Sequence, residues 1–116
     1  MPGVGGFKRW KCVLCGEDVL EGQRFIYIPG RGYAHIECVA GLASERGAVD
    51  SDVAALHAAS EVLSYAIVRL KEAARMASSE GARGKIDEAR RRVEGVAALV
   101  EKALVDLLAE KGALEG

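Results

Sequence analysis

At 116 residues the chain holds one domain, or one domain with an appendage. Its formal net charge of -1 excludes the strong basic excess of a dedicated polyanion binder. Three cysteines, an odd number, suit an intracellular metal site better than a disulfide framework.

The charges are also balanced locally. Residues 1–40 carry Lys8, Arg9, Lys11, Arg24 and Arg31 against Glu17, Asp18, Glu21 and Glu37. No uncharged apolar run approaches the roughly 20 residues that span a bilayer. The opening MPGVGGFKRW lacks the apolar core of a signal peptide. The expectation is a soluble, cytoplasmic protein with no membrane partner. The chain has no Asn, no Thr and a single Gln, Gln23. Loss of thermolabile amides is a thermophile trend, although GC-rich codon usage produces a similar bias. A thermophilic source predicts melting above about 60 °C.

Composition changes near residue 47, which divides a turn-rich module (1–47) from an Ala-, Leu- and Glu-rich one (48–116). The first predicted element is a knuckle over Cys12-Val13-Leu14-Cys15, followed by Gly16, where a tight turn favours a positive φ. RFIYIPGRGYAH then reads as a β-hairpin. Arg24–Ile28 has the β-branched and aromatic content of a strand, Pro29-Gly30 fits the centre of a type II turn, and Tyr33–His35 returns. From Ile36 a short helix is predicted, stopped at Gly47.

Asp50 or Ser51 caps the first long helix. Its apolar stripe is Leu56, Ser60, Leu63, Ile67, Leu70, Ala74 and Ala77. Gly81 and Gly84 in EGARGK predict a turn. A second helix carries Ile86, Ala89, Val93, Val96, Val100, Ala103 and Leu107. Two such helices joined by a short turn fold back as an antiparallel hairpin. Val62, Ala66, Ala98, Leu99, Leu104 and Leu108 widen the stripes beyond one seam. The surplus predicts packing on the zinc module, on a second copy of the chain, or on both, with a homodimer through residues 51–112 forming a four-helix bundle as the first choice.

Cys12, Cys15, His35 and Cys38 are the candidate metal ligands. The two-residue gap between Cys12 and Cys15 lets both sulfurs reach one ion. His35 and Cys38 follow after 19 intervening residues, enough for a hairpin to bring the pairs together. Three thiolates and an imidazole complete a tetrahedral Zn²⁺ site, one per chain, with no position left for water or substrate. The expected zinc is structural. Iron is the chemical rival, because thiolates also hold iron–sulfur clusters. A redox Cys-x-x-Cys needs a βαβ setting that the sequence lacks. A Cys38–His35 nucleophile pair has no accompanying oxyanion or phosphate cradle.

The pattern Cys-x2-Cys-x19-His-x2-Cys resembles the first zinc-binding half of a LIM domain and, more broadly, a treble-clef finger. The resemblance implies a knuckle from Cys12 and Cys15, a hairpin, and the second ligand pair at the first turn of a helix. No second ligand set follows, so it implies one zinc. A single finger followed by a helical hairpin is also similar to small uncharacterised archaeal proteins. The implied fold class is α+β, a treble-clef zinc module leading into a two-helix hairpin.

His57, beside Leu56, reads as a histidine at the edge of an interface. Arg90, Arg91 and Arg92 point about 100° apart on a helix, and Asp87–Arg91 and Glu88–Arg92 are favourable four-spaced pairs. They read as a solvated, internally paired face, with phosphate contact as the alternative. Gly95 either permits close helix approach or is simply tolerated. Lys8, Arg9, Trp10, Lys11, Arg24, Arg31 and Tyr33, with Phe7, could form a basic aromatic face of the kind that stacks single-stranded nucleic acid. Phe7 and Trp10 are also the large residues available to fill a small core. No catalytic constellation emerges, so no enzyme is expected. The leading reading is a zinc-dependent interaction or adaptor module with an unidentified protein partner, and the alternative is nucleic-acid binding.

Overall fold

The computed structural model describes residues 10–20 and 23–115. Phe7, Lys8 and Arg9 lie outside them. The chain is α+β, with two small antiparallel β-ribbons and a short helix leading into two long helices. Strands β1 (Trp10–Lys11) and β2 (Asp18–Val19) pair across the knuckle, with Trp10 opposite Val19. Strands β3 (Phe25–Ile28) and β4 (Gly32–His35) pair from Phe25–His35 to Ile28–Gly32. Side chains on a strand alternate between faces, so Ile26 and Ile28 point inward while Phe25 and Tyr27 point outward.

The hairpin closes as its sequence requires. The Arg31 N–H donates to the Ile28 carbonyl at 3.0 Å, and Gly30 has φ +82°. Pro29 and Gly30 are thus the two central residues of the turn. Helix α1 (Ile36–Glu45) begins directly after β4. It stops at Gly47 (φ +66°), where the Ala48 N–H reaches back to the Ala43 carbonyl at 2.9 Å.

Helix α2 (Ser51–Met76) is capped by Asp50, whose carboxylate accepts from the Val53 N–H at 2.9 Å. Helix α3 (Glu80–Glu110) starts earlier than its glycines suggest. The turn is Ala77–Ser79, and Gly81 and Gly84 lie inside the helix. Ser79 Oγ accepts from the Ala82 N–H at 3.1 Å, which nucleates the first turn. Arg83 holds the other side of the turn, donating to the Ala77 carbonyl at 2.9 Å and the Ala74 carbonyl at 3.3 Å. Each glycine costs about 1 kcal/mol against Ala, which these caps and the packing on α2 offset.

The helices form the antiparallel hairpin. All seven residues of the α2 stripe are buried or half-buried, but on α3 the stripe is turned. Val96 and Ala103 are exposed, while Leu104, Val105 and Leu108 are core residues. The cause is the finger, which packs on that end of α3. Ile26, Ile28, Val39 and Ala43 share one apolar cluster with Val53, Leu104, Val105 and Leu108. The boundary near residue 47 therefore separates two compositions that share one core. Arg31 and Arg46 donate to carbonyls of Leu114 and Ala113, tying the C-terminal turn to the finger.

Away from the finger, among the described residues, the two helices cover only each other. The Cα radius of gyration is 16.2 Å, against about 13 Å for a compact chain of this length. Beyond Ser60, Ala74 and Ala97 are the buried residues among those described along that arm. Val62, Tyr65, Val68 and Met76 are exposed on α2, as are Val96 and Leu99 on α3. By length and composition α2 could cross a membrane, with mean hydropathy 1.3 over its most apolar stretch. Only 11% of that stretch is buried, so its apolarity is that of a helix face without cover. Among the described residues Gly95 makes no close approach, since a Cβ added there meets none of their atoms within 4 Å.

Candidate metal centre

The knuckle, β4 and the first turn of α1 deliver four side chains to one point. Cys12 is buried behind the knuckle, Cys15 is exposed at its tip, and His35 ends β4. Cys38 lies one helical turn on, on the same side of α1. The ligand atoms of Cys12, Cys15, His35 and Cys38 all lie within 4.8 Å of one another. His35 Nδ1 is 3.4 Å from Cys15 Sγ and 3.6 Å from Cys38 Sγ. An ion with bonds of about 2.3 Å to sulfur and 2.0 Å to nitrogen, in tetrahedral array, sets an S···N edge of roughly 3.6 Å. The residues fit a metal ion of that size, and the soft three-sulfur, one-nitrogen donor set is consistent with zinc.

Backbone amides complete the site. Cys12 Sγ accepts from the N–H groups of Leu14, Cys15 and His35, each at 3.4 Å. Cys15 Sγ accepts from the Glu17 N–H at 3.4 Å. Burial alone raises the Cys12 pKa, but these amides outweigh it and draw the thiol down to about 6. Cys38 goes the other way, pushed up to about 12 by burial and by the neighbouring Cys15 and Cys12 groups. A divalent ion favours thiolate at all three and releases protons as it binds.

His35 is fixed from behind. Its Nε2 lies 3.1 Å from both the Asp18 carbonyl oxygen and Gln23 Oε1. With Nδ1 turned to the sulfurs, Nε2 carries the proton and donates to these acceptors. Gln23 Oε1 also accepts from the Leu20 N–H at 2.7 Å, which holds the amide in place. Ligand spacing does not reveal this role; the one signal in the sequence is that the chain's single Gln lies between the two ligand pairs. Gly32 is a second hidden requirement. A Cβ there would meet Val13 Cγ1 at 3.1 Å, with φ at +124°, so the hairpin approaches the knuckle only with glycine.

The basic aromatic face is divided. Trp10 and Tyr33 do meet, with ring centroids 4.7 Å apart, and the outward Phe25 and Tyr27 join them at 5.5 and 5.2 Å from Tyr33. Trp10 is 37% exposed, so it covers the finger instead of filling its core. Lys11 pairs with Asp18 at 3.1 Å. Arg24 and Arg31 turn away, Arg24 to the hydroxyls of Ser60 and Ser64 and Arg31 to the C-terminal turn. On α3, Arg92 pairs with Glu88 at 3.0 Å, while Arg90 takes Glu94 and Asp87.

A family described as "Uncharacterized protein conserved in archaea (DUF2175)" matches residues 8–106. Neither a curated protein nor a solved structure matches the chain.

Proposed function

The chain belongs to this archaeal family, and we propose that it is a non-catalytic, cytoplasmic zinc protein acting as an interaction module. One structural Zn²⁺, held by Cys12, Cys15, His35 and Cys38, orders a treble-clef-like finger similar to the first half of a LIM domain. The observation that carries this reading is the closed ligand set, four donor atoms within 4.8 Å of one another and braced by backbone amides. Four protein ligands leave no coordination position for a substrate, as in structural zinc sites.

The helical arm is the dimeriser. Val62, Tyr65 and Met76 on α2 and Leu99 on α3 are each more than half exposed, a density that monomers rarely tolerate. A second copy, laid against the arm as a four-helix bundle through residues 51–112, covers them. Light scattering on the zinc-loaded chain at tens of micromolar should give twice the chain mass. The double variant Val62→Glu, Leu99→Glu should give the chain mass with the finger intact; a monomeric wild type removes this half of the reading.

The finger's exposed rings are the docking face for a protein partner, with nucleic acid as the second reading. The clustering of Trp10, Phe25, Tyr27 and Tyr33 favours base stacking, whereas the engagement of Arg24 and Arg31 favours a protein. A partner captured by wild type and lost with Phe25→Ala, Tyr27→Ala supports the docking face. Nuclease sensitivity and a steep loss of binding with salt would assign it to nucleic acid.

A further inference from the structure

The helical arm is electrically polarised along its length. Its tip half (64–97) carries eight basic and five acidic residues, and its root half (50–63 with 98–111) carries two basic and six acidic ones. The tip is therefore +3 and the root -4 in formal charge. Ion pairs within each half leave this segregation in place. Arg69, Arg90 and Arg92 are taken by neighbouring carboxylates at the tip, and Lys102 and Lys111 by Asp106 and Asp50 at the root. Exposed Lys71, Arg75, Lys85 and Arg91 remain at the tip, and exposed Asp52, Glu61 and Glu110 at the root, without an ion pair among the described residues.

The uncovered apolar face lies across the middle of this gradient, on the side away from the finger. Arg24 marks the finger side by its bond to Ser60 and its charge beside Glu101. At 100° per residue, Val62 lies about 200° around α2 from Ser60, and Leu99 about 200° around α3 from Glu101. Both are mostly exposed, at 66% and 70%. A lipid surface or an uncharged peptide on this face would leave the charge at either end unanswered. A second copy laid tip on root sets +3 against -4 at both ends, whereas one laid tip on tip juxtaposes like charges, which disfavours association.

We infer that the arm's partner is a second copy running antiparallel, tip on root, about a two-fold axis at mid-arm. The two copies of α2 then face each other, as do the two of α3, and the fingers stand at opposite ends of the dimer. This rests on the dimer reading above and adds its direction.

The test uses the zinc-loaded full chain. Lys71→Glu with Lys85→Glu takes the tip from +3 to -1. The double variant should weaken dimerisation at least about tenfold at about 20 mM salt, and the loss should shrink at about 500 mM. A tip-on-tip dimer predicts the opposite, tighter association, because the reversal relieves repulsion between the tips. Spin labels on Ser78→Cys, in the exposed turn, give a second readout when attached with zinc holding the ligand thiols. At 1.5 Å per residue from mid-arm to turn, the labels should lie roughly 40 Å apart in the antiparallel dimer and under about 20 Å apart tip on tip. Tighter association or a short label distance overturns the antiparallel direction and leaves the dimer standing. A monomeric wild type overturns both.

Discussion

Replacing Arg24 with alanine tests how the finger is fastened to the arm. The Arg24 guanidinium donates from Nε to Ser64 Oγ and from Nη2 to Ser60 Oγ, both at 3.2 Å. Ser60 is fully buried. Glu101 on α3 belongs to the same cluster. Burial raises its pKa, while the Arg24 charge and the Ser60 hydroxyl pull the other way. Each hydrogen bond to a charged group contributes about 1.5–3 kcal/mol when fully buried. The serines can recover part of this by bonding to carbonyls of their own helix, and Glu101 stays partly solvated, so each of the two bonds contributes about 1–1.5 kcal/mol here. Arg24→Ala should therefore cost about 2–3 kcal/mol, or roughly 10 °C in Tm for a chain of this size. Calorimetry of the zinc-saturated protein at pH 7 reads this directly. Arg24→Lys should recover less than half, since one ammonium cannot reproduce the fork that spans two hydroxyls. A shift below about 2 °C, or full recovery by lysine, would refute the fastening role. A purely nucleic-acid contact at Arg24 predicts no loss of stability.

Glu101 carries the pH dependence of this cluster. Its folded pKa lies above the ordinary glutamate value, so the folded chain binds the extra proton and stability falls as pH rises through that window. The stability difference between wild type and Glu101→Gln should change in that sense between the ordinary value and the raised one; a pH-independent difference contradicts it. Gln23→Ala frees His35 Nε2 of one acceptor and should weaken metal affinity about tenfold to a hundredfold in competition with a chromophoric chelator. Unchanged affinity would make Gln23 incidental. Leu108, with no exposed surface, sits where finger and arm meet, and Leu108→Ala should cost about 3–5 kcal/mol by urea unfolding. A loss under 1 kcal/mol would mean that the two modules do not share a core.

The ligand set was legible because coordination chemistry constrains both residue type and gap, and Cys12, Cys15, His35 and Cys38 satisfy both. Pro29-Gly30 and Asp50 were legible for the same local reason, since each acts on its own few residues of backbone. The start of α3 was not, because Gly81 and Gly84 are helix breakers locally while the Ser79 cap and the Arg83 bracket offset them, and the bracket exists only once the turn has formed. The buried face of α3 was misplaced by about one residue, toward Leu104 and Leu108, because the finger packs against it from a distant part of the chain. Arg24 illustrates the same limit: its sequence neighbours place it beside aromatics, while its partners, Ser60 and Ser64, lie 36 and 40 residues away.

The central claim is that one zinc ion is closed within three sulfurs and one nitrogen of this chain. X-ray absorption at the zinc edge of the purified protein tests it most directly. The expected spectrum has three sulfur neighbours at about 2.3 Å and one nitrogen at about 2.0 Å, with no oxygen in the coordination shell. An oxygen ligand in place of one of the four, or iron in place of zinc, would contradict the closed structural site.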